Sequence, residues 1–268
     1  MKYAIYSVVA LIIVIIFSYL LVRFLTKKKN VSKGKKTLLT ALMSVLLIVI
    51  SSLGYLLPYS KSEAVTKQYL ASVGSVSYEE TGKWISYKNP DSDKAFIFYP
   101  GAKVDSHAYA QLAREIAEEG IDTYIVKFPF HMAFFKMNAA AGVLKDKEYK
   151  EIYLGGHSLG GVAACSYSLK NEEIDGVILL ASYPTKKINC KLLSIYGDRD
   201  GCLEKNVYED AKQYWSEEST EVIIKGGNHA NFAQYGKQKG DNEATITAEE
   251  QISQTSEAII SFIKGSSK

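Results

Sequence analysis

Acidic residues are absent from the first sixty positions of this 268-residue chain, while Lys2, Arg23, Lys27, Lys28, Lys29, Lys33, Lys35 and Lys36 give that stretch eight positive charges. The whole chain carries a formal +3, so removing those eight leaves −5 for residues 61–268. The basic character therefore belongs to the N-terminus, and a nucleic-acid partner finds no support in the net charge. Cysteine is scarce as well: Cys165, Cys190 and Cys202 form neither a C-x-x-C pair nor a cluster with histidine, which excludes a zinc site and a redox pair of the usual spacing. An odd count leaves at least one thiol unpaired. Cys190 and Cys202 flank an expected strand and the loop after it, so they fall at opposite ends of a sheet, and all three read as packing residues. No internal repeat or low-complexity tract is present.

Long apolar runs are concentrated at the start. Tyr3 to Leu25 is apolar apart from Ser7, Ser18 and Arg23, and at about 1.5 Å per residue it reaches across a hydrocarbon core of roughly 30 Å. It is too long for a signal-peptide core, and lysines rather than a small-residue cleavage site follow it. Thr37 to Leu57 is a second run, ended by Pro58. The six lysines between the runs predict a cytoplasmic loop, which places both termini outside. Residues 1–60 are thus expected to form a transmembrane hairpin, with helices at about 3–25 and 37–57 and a basic loop at 26–36. A linker at 61–74 and a domain at 75–268 complete the expected organisation.

The domain alternates strand and helix signals. Val65–Val73 reads as a short helix or linker, and Lys83–Tyr87 as a strand alternating in and out. Ala95–Tyr99 is the continuous apolar run of a strand covered on both faces. A helical spacing at His107–Glu119 precedes a strand at Thr123–Phe128, an apolar connection at Pro129–Met137 and a helix at Ala139–Lys147. Strands follow at Ile152–Leu154, Val177–Leu180, Leu192–Tyr196 and Glu221–Ile224, with helices at Asn206–Trp215 and Ala248–Lys264. The class is α/β, a mostly parallel sheet with helices on both faces.

Gly156-His157-Ser158-Leu159-Gly160 sits between an apolar strand and the small-residue helix Val162–Leu169, matching the G-x-S-x-G nucleophile elbow. There a tight reversal gives Ser158 a strained backbone and projects its hydroxyl outward, and glycines at 156 and 160 let strand and helix approach. A lone match also reads as a Gly/Ser-rich helix entry with Ser158 as its cap, so the rest of the chain must supply a base and an acid.

Four histidines are available: His107, His131, His157 and His229. His157 lies inside the elbow and cannot bend back to its neighbour. His229 falls on a loop after the strand ending at Ile224, at the strand edge where ligand chemistry collects in α/β sheets. Two carboxylates, Asp198 and Asp200, follow the strand Leu192–Tyr196. Spacing after the strand favours Asp200, with Asp198 pairing with Arg199 or holding the loop. The chain order Ser158, Asp200, His229 is that of α/β-hydrolase triads. An oxyanion hole would draw one N–H from Leu159 and one from the Gly101-Ala102 turn after Pro100, with Ala102 the favoured second donor.

With these residues in hand, residues 75–265 resemble the α/β-hydrolase superfamily, and more narrowly a group of small, membrane-anchored bacterial α/β hydrolases, in FYPGAKVD, GGHSLGG, YGDRDG and GGNHANFAQYG. The resemblance implies an α/β-hydrolase fold with Ser158 as nucleophile, Asp200 as acid and His229 as base, and with no cofactor or metal. Gln234, Tyr235, Gly236 and the stretch Gly240–Glu243 also resemble the group, with Asp241 and Glu243 read as solvated loop. Little sequence separates Leu180 from Leu192, so no large lid fits there. Phe130, His131, Phe134 and Phe135 are read either as an acyl-binding wall or as core.

The expectation is a membrane-anchored serine hydrolase, its domain extracytoplasmic, cleaving small-molecule esters or thioesters, with the lipid bilayer as its other partner and no nucleic acid. An acyltransferase or peptidase with the same triad, or an inactive binding module, are the rival readings.

Overall fold

A computed structural model of the chain describes residues 2–27, 29–145 and 148–265. Lys28 of the expected basic loop, Asp146 and Lys147 at the end of the expected helix 139–147, and the last three residues lie outside them. The chain forms two units, Met1–Pro58 and Tyr59–Lys268.

In the first unit, helix α1 (Lys2–Leu25) packs against helix α2 (Lys33–Leu56). Among the described residues, α2 alone is long and apolar enough to cross a membrane, while the described side chains of α1 give a shorter apolar stretch, Leu11–Leu25. Several hydroxyls in these helices bond back to the preceding turn: Ser18 donates to the Val14 carbonyl (2.7 Å) and Ser44 to that of Thr40 (2.9 Å). Ser32 caps α2, accepting from the Lys35 N–H.

The second unit is one eight-stranded sheet. Its strands are β1 (Ser77–Glu80), β2 (Trp84–Lys88), β3 (Lys94–Tyr99), β4 (Asp122–Val126), β5 (Glu151–His157), β6 (Gly176–Leu180), β7 (Lys191–Gly197) and β8 (Ser219–Ile224), in the spatial order β1-β2-β4-β3-β5-β6-β7-β8. The first two pair antiparallel and β2 meets β4 antiparallel; every remaining pair is parallel. Parallel pairing explains the continuous apolar runs. In β3, Phe96 and Phe98 enter the core under helices α3 (Ala110–Glu118) and α7 (Ala248–Gly265), while Ile97 and Tyr99 enter the opposite core with helix α5 (Leu159–Ser168). Each such side chain contributes roughly 1.5–3 kcal/mol by burial.

Several boundaries moved. The expected helix 139–147 is reduced to α4 (Ala140–Val143), and 206–215 becomes α6 (Lys205–Ala211) followed by a single 3-10 turn. β2 does not alternate: Ile85, Ser86 and Tyr87 are all fully buried, and the Ser86 hydroxyl donates to the Glu79 carbonyl of β1. Within the stretch expected as a linker, Ala64–Tyr69 forms a 3-10 turn. Just ahead of it, Ser60 bonds into the loop after β3, its N–H donating to the Lys103 carbonyl (2.7 Å) and its carbonyl accepting from the Asp105 N–H (2.9 Å).

Strand order reverses at β3, whose neighbours are β4 on one side and β5 on the other. Loops leaving the C-terminal ends of β3 and β5 therefore diverge around a crevice, the usual ligand position in an open α/β sheet. Tyr99 lies opposite Gly156 in the register, which sets the Pro100–Val104 turn beside Ser158.

Candidate active site

The site starts from the turn between β5 and α5. Ser158 has φ 53° and ψ −124°, a left-handed conformation that non-glycine residues adopt only where the surroundings impose it. Its N–H donates to the Leu180 carbonyl (2.9 Å), and its carbonyl accepts from the Ser182 hydroxyl (2.8 Å). The two glycines are required sterically. A β-carbon at Gly156 would sit 2.5 Å from the Gly160 carbonyl carbon, and one at Gly160 would sit 2.2 Å from the Tyr99 carbonyl oxygen.

The loops after β7 and β8 bring the next two residues together. His229 Nδ1 donates to Asp200 Oδ2 at 2.8 Å, with both side chains buried. Asp200 Oδ1 accepts from the N–H groups of Cys202 (2.8 Å) and Leu203 (2.7 Å), so the carboxylate is held from both sides. Asp198 takes the other role: its Oδ1 accepts from the Gly226 N–H (2.7 Å) and joins the same two loops away from the imidazole. With Nδ1 facing a carboxylate, Nε2 is the basic nitrogen of His229. His229 and Ser158 line one small pocket of about 120 Å³, together with Leu159, Ser182, Cys202 and Glu204.

Of the three amides expected to form an oxyanion hole, the Gly101 N–H is engaged, donating to the Tyr109 hydroxyl at 2.9 Å. Among the described residues no partner occupies the N–H of Leu159, at the start of α5, or that of Ala102. The Tyr109 hydroxyl is in turn hydrogen-bonded to His157 Nδ1 (2.8 Å). His157 is buried, and its ring centroid lies 4.6 Å from that of His229. Burial, reinforced by the neighbouring His229, holds its pKa well below the ordinary histidine value, so it stays neutral. His157 is thus a strut between the elbow and the loop after β3. Only its place inside the elbow was visible in the sequence.

That loop has a second anchor. Asp105 accepts from the His107 N–H (3.1 Å), His107 Nδ1 (2.8 Å) and the Ser62 hydroxyl (3.2 Å), while His107 Nε2 meets Glu80 at 3.0 Å. The hydrogen bond to Asp105, with Glu80 adding to it, raises the His107 pKa against the opposing effect of burial. Burial raises Glu80, but hydrogen bonds from Lys127, Tyr78 and His107 outweigh it and bring the carboxyl down to about 2.

Phe130, His131, Phe134 and Phe135 do not line the pocket that Ser158 and His229 share. The backbone is the reason: Phe130 (φ 54°) and His131 (φ 53°) are both left-handed, and the turn they make carries the phenylalanines outward. His131 stacks on Tyr59 with ring centroids 3.8 Å apart. Cys202, read as packing, is a wall of the pocket and accepts from Gln238 Nε2 (3.2 Å).

Asp241 is the residue that a local reading misplaced. Its Oδ1 accepts from the Gly201 N–H (2.9 Å) and its Oδ2 from the Ala230 N–H (2.9 Å), so one carboxylate braces the neighbours of Asp200 and His229. Asp200, Cys202 and His229 also bring three potential metal-ligand atoms within 4.8 Å of one another. The Asp200 carboxylate and His229 Nδ1 are already spent on each other, and burial pushes the Cys202 thiol pKa up, which disfavours the thiolate a metal would need.

Residues 95–253 match the alpha/beta hydrolase family. No curated protein matches the chain. Among solved structures, a CIB-like hydrolase from Thermoplasma acidophilum aligns at 16% identity over 69% of this chain and 99% of its own, with a TM-score of 0.52. A ferulic acid esterase from Streptomyces cinnamoneus aligns at 16% identity over 66% of this chain and 68% of its own (TM-score 0.55). Esterase 2 of Thermogutta terrifontis, in a structure phosphoramylated by tabun, aligns at 11% over 73% and 96% (TM-score 0.53). At these identities the likeness is one of fold. The match spans more than half of the residues and takes in β3 to β8 with Ser158, Asp200 and His229; the chain belongs to the alpha/beta hydrolase family.

Proposed function

We propose that the protein is a membrane-anchored serine hydrolase that cleaves carboxylic esters or thioesters through Ser158, His229 and Asp200. The observation that carries this reading is the buried 2.8 Å His229–Asp200 pair sharing a pocket with a serine held at φ 53°. His229 Nε2 takes the Ser158 proton as Oγ bonds to the acyl carbon, and Asp200 stabilises the imidazolium. The developing oxyanion is received by the Leu159 and Ala102 N–H groups. The intermediate collapses with the proton passing from His229 to the leaving alkoxide or thiolate. Water, deprotonated by the same nitrogen, then releases the acid and restores Ser158. The esterases among proteins of the same fold favour ester substrates, and a pocket of about 120 Å³ favours short acyl groups.

Anchoring is assigned to α1 and α2 as a two-pass hairpin, with the lysine-rich loop cytoplasmic and the hydrolase unit outside. It rests on the apolar length of α2, the apolar sequence of α1 and the positive-inside rule.

The test is hydrolysis of a p-nitrophenyl ester series by the full chain. Turnover is expected to fall as the acyl chain lengthens, and Ser158→Ala is expected to lose about 10³-fold or more; wild-type rates in that variant would overturn the reading.

The Asp241 brace has its own consequence. Asp241→Ala frees two N–H groups on loops that must hold Asp200 and His229 in register, and is expected to lower kcat about tenfold with little change in KM. Asp241→Asn keeps one acceptor oxygen and is expected to fall between the two. Steady-state kinetics of the three proteins checks this, and equal kcat values would show that the brace does not position the pair.

A further inference from the structure

The loop after β4 exposes a cluster of large apolar side chains. Phe134 is 77% exposed, Phe135 49%, Phe130 39% and Met137 36%, all within eight residues, and the Phe130 and Phe135 rings meet edge to face at 5.5 Å. Single exposed apolar residues are ordinary, but a contiguous aromatic cluster marks an interaction surface.

The base of the loop is firmly held. The His131 carbonyl accepts from the Lys103 N–H (2.7 Å), Tyr59 stacks on the His131 ring, and the buried Tyr99 hydroxyl donates to the Met137 carbonyl (2.7 Å) while accepting from the Ala140 N–H (3.0 Å). Ala133 and Ala139 are buried between the exposed positions. The left-handed backbone at Phe130 and His131 fixes the outward turn. Buried hydrogen bonds therefore present the aromatic side chains rigidly to the outside.

Only Leu57 and Pro58 separate Leu56, the last residue of α2, from Tyr59, which stacks on the loop itself. Three residue steps span at most about 10 Å. The connection from α2 to Tyr59 is therefore short enough to keep this loop near a bilayer that holds α2. The chemistry agrees with an interface: aromatic rings suit the headgroup level, and exposed Lys136 in the loop and exposed Lys61, two residues after Tyr59, suit anionic lipid.

We propose that Phe130, Phe134, Phe135 and Met137 form a second membrane contact, inserting into the interface of the bilayer that α2 crosses. The inference rests on the anchoring reading above. The turn Ala133–Lys136 lies beside α5, whose first residue Leu159 is exposed at the pocket, so docking brings the mouth of the site close to the lipid surface. Esters carried by membrane-resident amphiphiles would then reach Ser158 from the bilayer side.

The test uses the full chain in vesicles of about three parts phosphatidylcholine to one part phosphatidylglycerol. Phe134→Trp adds one tryptophan to the native Trp84 and Trp215, and its emission is read as the increment over the parent protein. Lipids brominated on the acyl chain near the headgroup are expected to quench that increment about twofold or more, because an inserted side chain reaches the headgroup and acyl boundary. An increment left unquenched in a chain that floats with the vesicles overturns the second contact while leaving the anchor standing. An unquenched increment that shifts to the blue as protein per vesicle rises means that a second copy covers the patch, and also overturns it. A chain that fails to float overturns both the anchor and the inference.

Discussion

Asp200→Asn is expected to fold and to lose about 10⁴-fold in kcat, the scale seen when the acid of such a triad becomes an amide. The cause is the tautomer. Asn keeps an oxygen for the Cys202 and Leu203 N–H groups, which turns its NH2 towards His229 Nδ1, where the native carboxylate accepts at 2.8 Å. Donor then faces donor, and the imidazole relieves the clash by carrying its proton on Nε2, the nitrogen that must accept from Ser158. Asp198→Asn retains an acceptor for the Gly226 N–H and touches no imidazole, so it is expected to stay within about twofold of the parent. Rapid-mixing and steady-state assays of the pair decide which carboxylate serves the histidine, and comparable losses in both variants would contradict the assignment.

Gly160→Ala is expected to be among the most damaging single methyl groups in the second unit. Its β-carbon would meet the Tyr99 carbonyl oxygen at 2.2 Å and the Pro100 carbonyl oxygen at 2.4 Å, and backbone of a central strand has no rotamer by which to give way. Helix α5 must move off β3, which opens the core between Tyr99 and Ala163 and shifts the turn carrying Ala102. A loss of about 4 kcal/mol or more follows from forced repacking of this kind, on the order of 10 °C in Tm for a unit of this size. Gly82→Ala is the control: nothing lies within 4 Å of its added carbon, and Tm should hardly move. Thermal unfolding of the solubilised chain checks both, and a Gly160→Ala protein melting with the parent would show that the turn is not packed as described.

The parts legible in the sequence are those whose causes are local. The elbow is five adjacent residues with a steric requirement at Gly156 and Gly160, and the apolar runs of β3, β6 and β7 report burial on both faces directly. What stayed hidden depends on residues far apart in the chain. Nothing near Asp241 indicates that its carboxylate reaches Gly201, 40 positions away, and a run of polar residues looks solvated until the fold closes it over the acid loop. Gly101 illustrates the same limit, since its N–H is taken by a tyrosine hydroxyl from the following helical turn. β1, with the sequence Ser-Tyr-Glu-Glu, has no apolar pattern and exists because β2 offers it an edge. The phenylalanines of the β4 loop were ambiguous for another reason: hydrophobicity cannot separate a pocket wall from an exposed surface, and two left-handed residues decide the direction.

Fluorophosphonate labelling of the full chain with peptide mapping tests most directly whether Ser158 is an activated nucleophile. A single adduct on Ser158 is expected, absent in Ser158→Ala and reduced to background in His229→Ala. A folded chain that takes no label, or takes it at another residue, would contradict it.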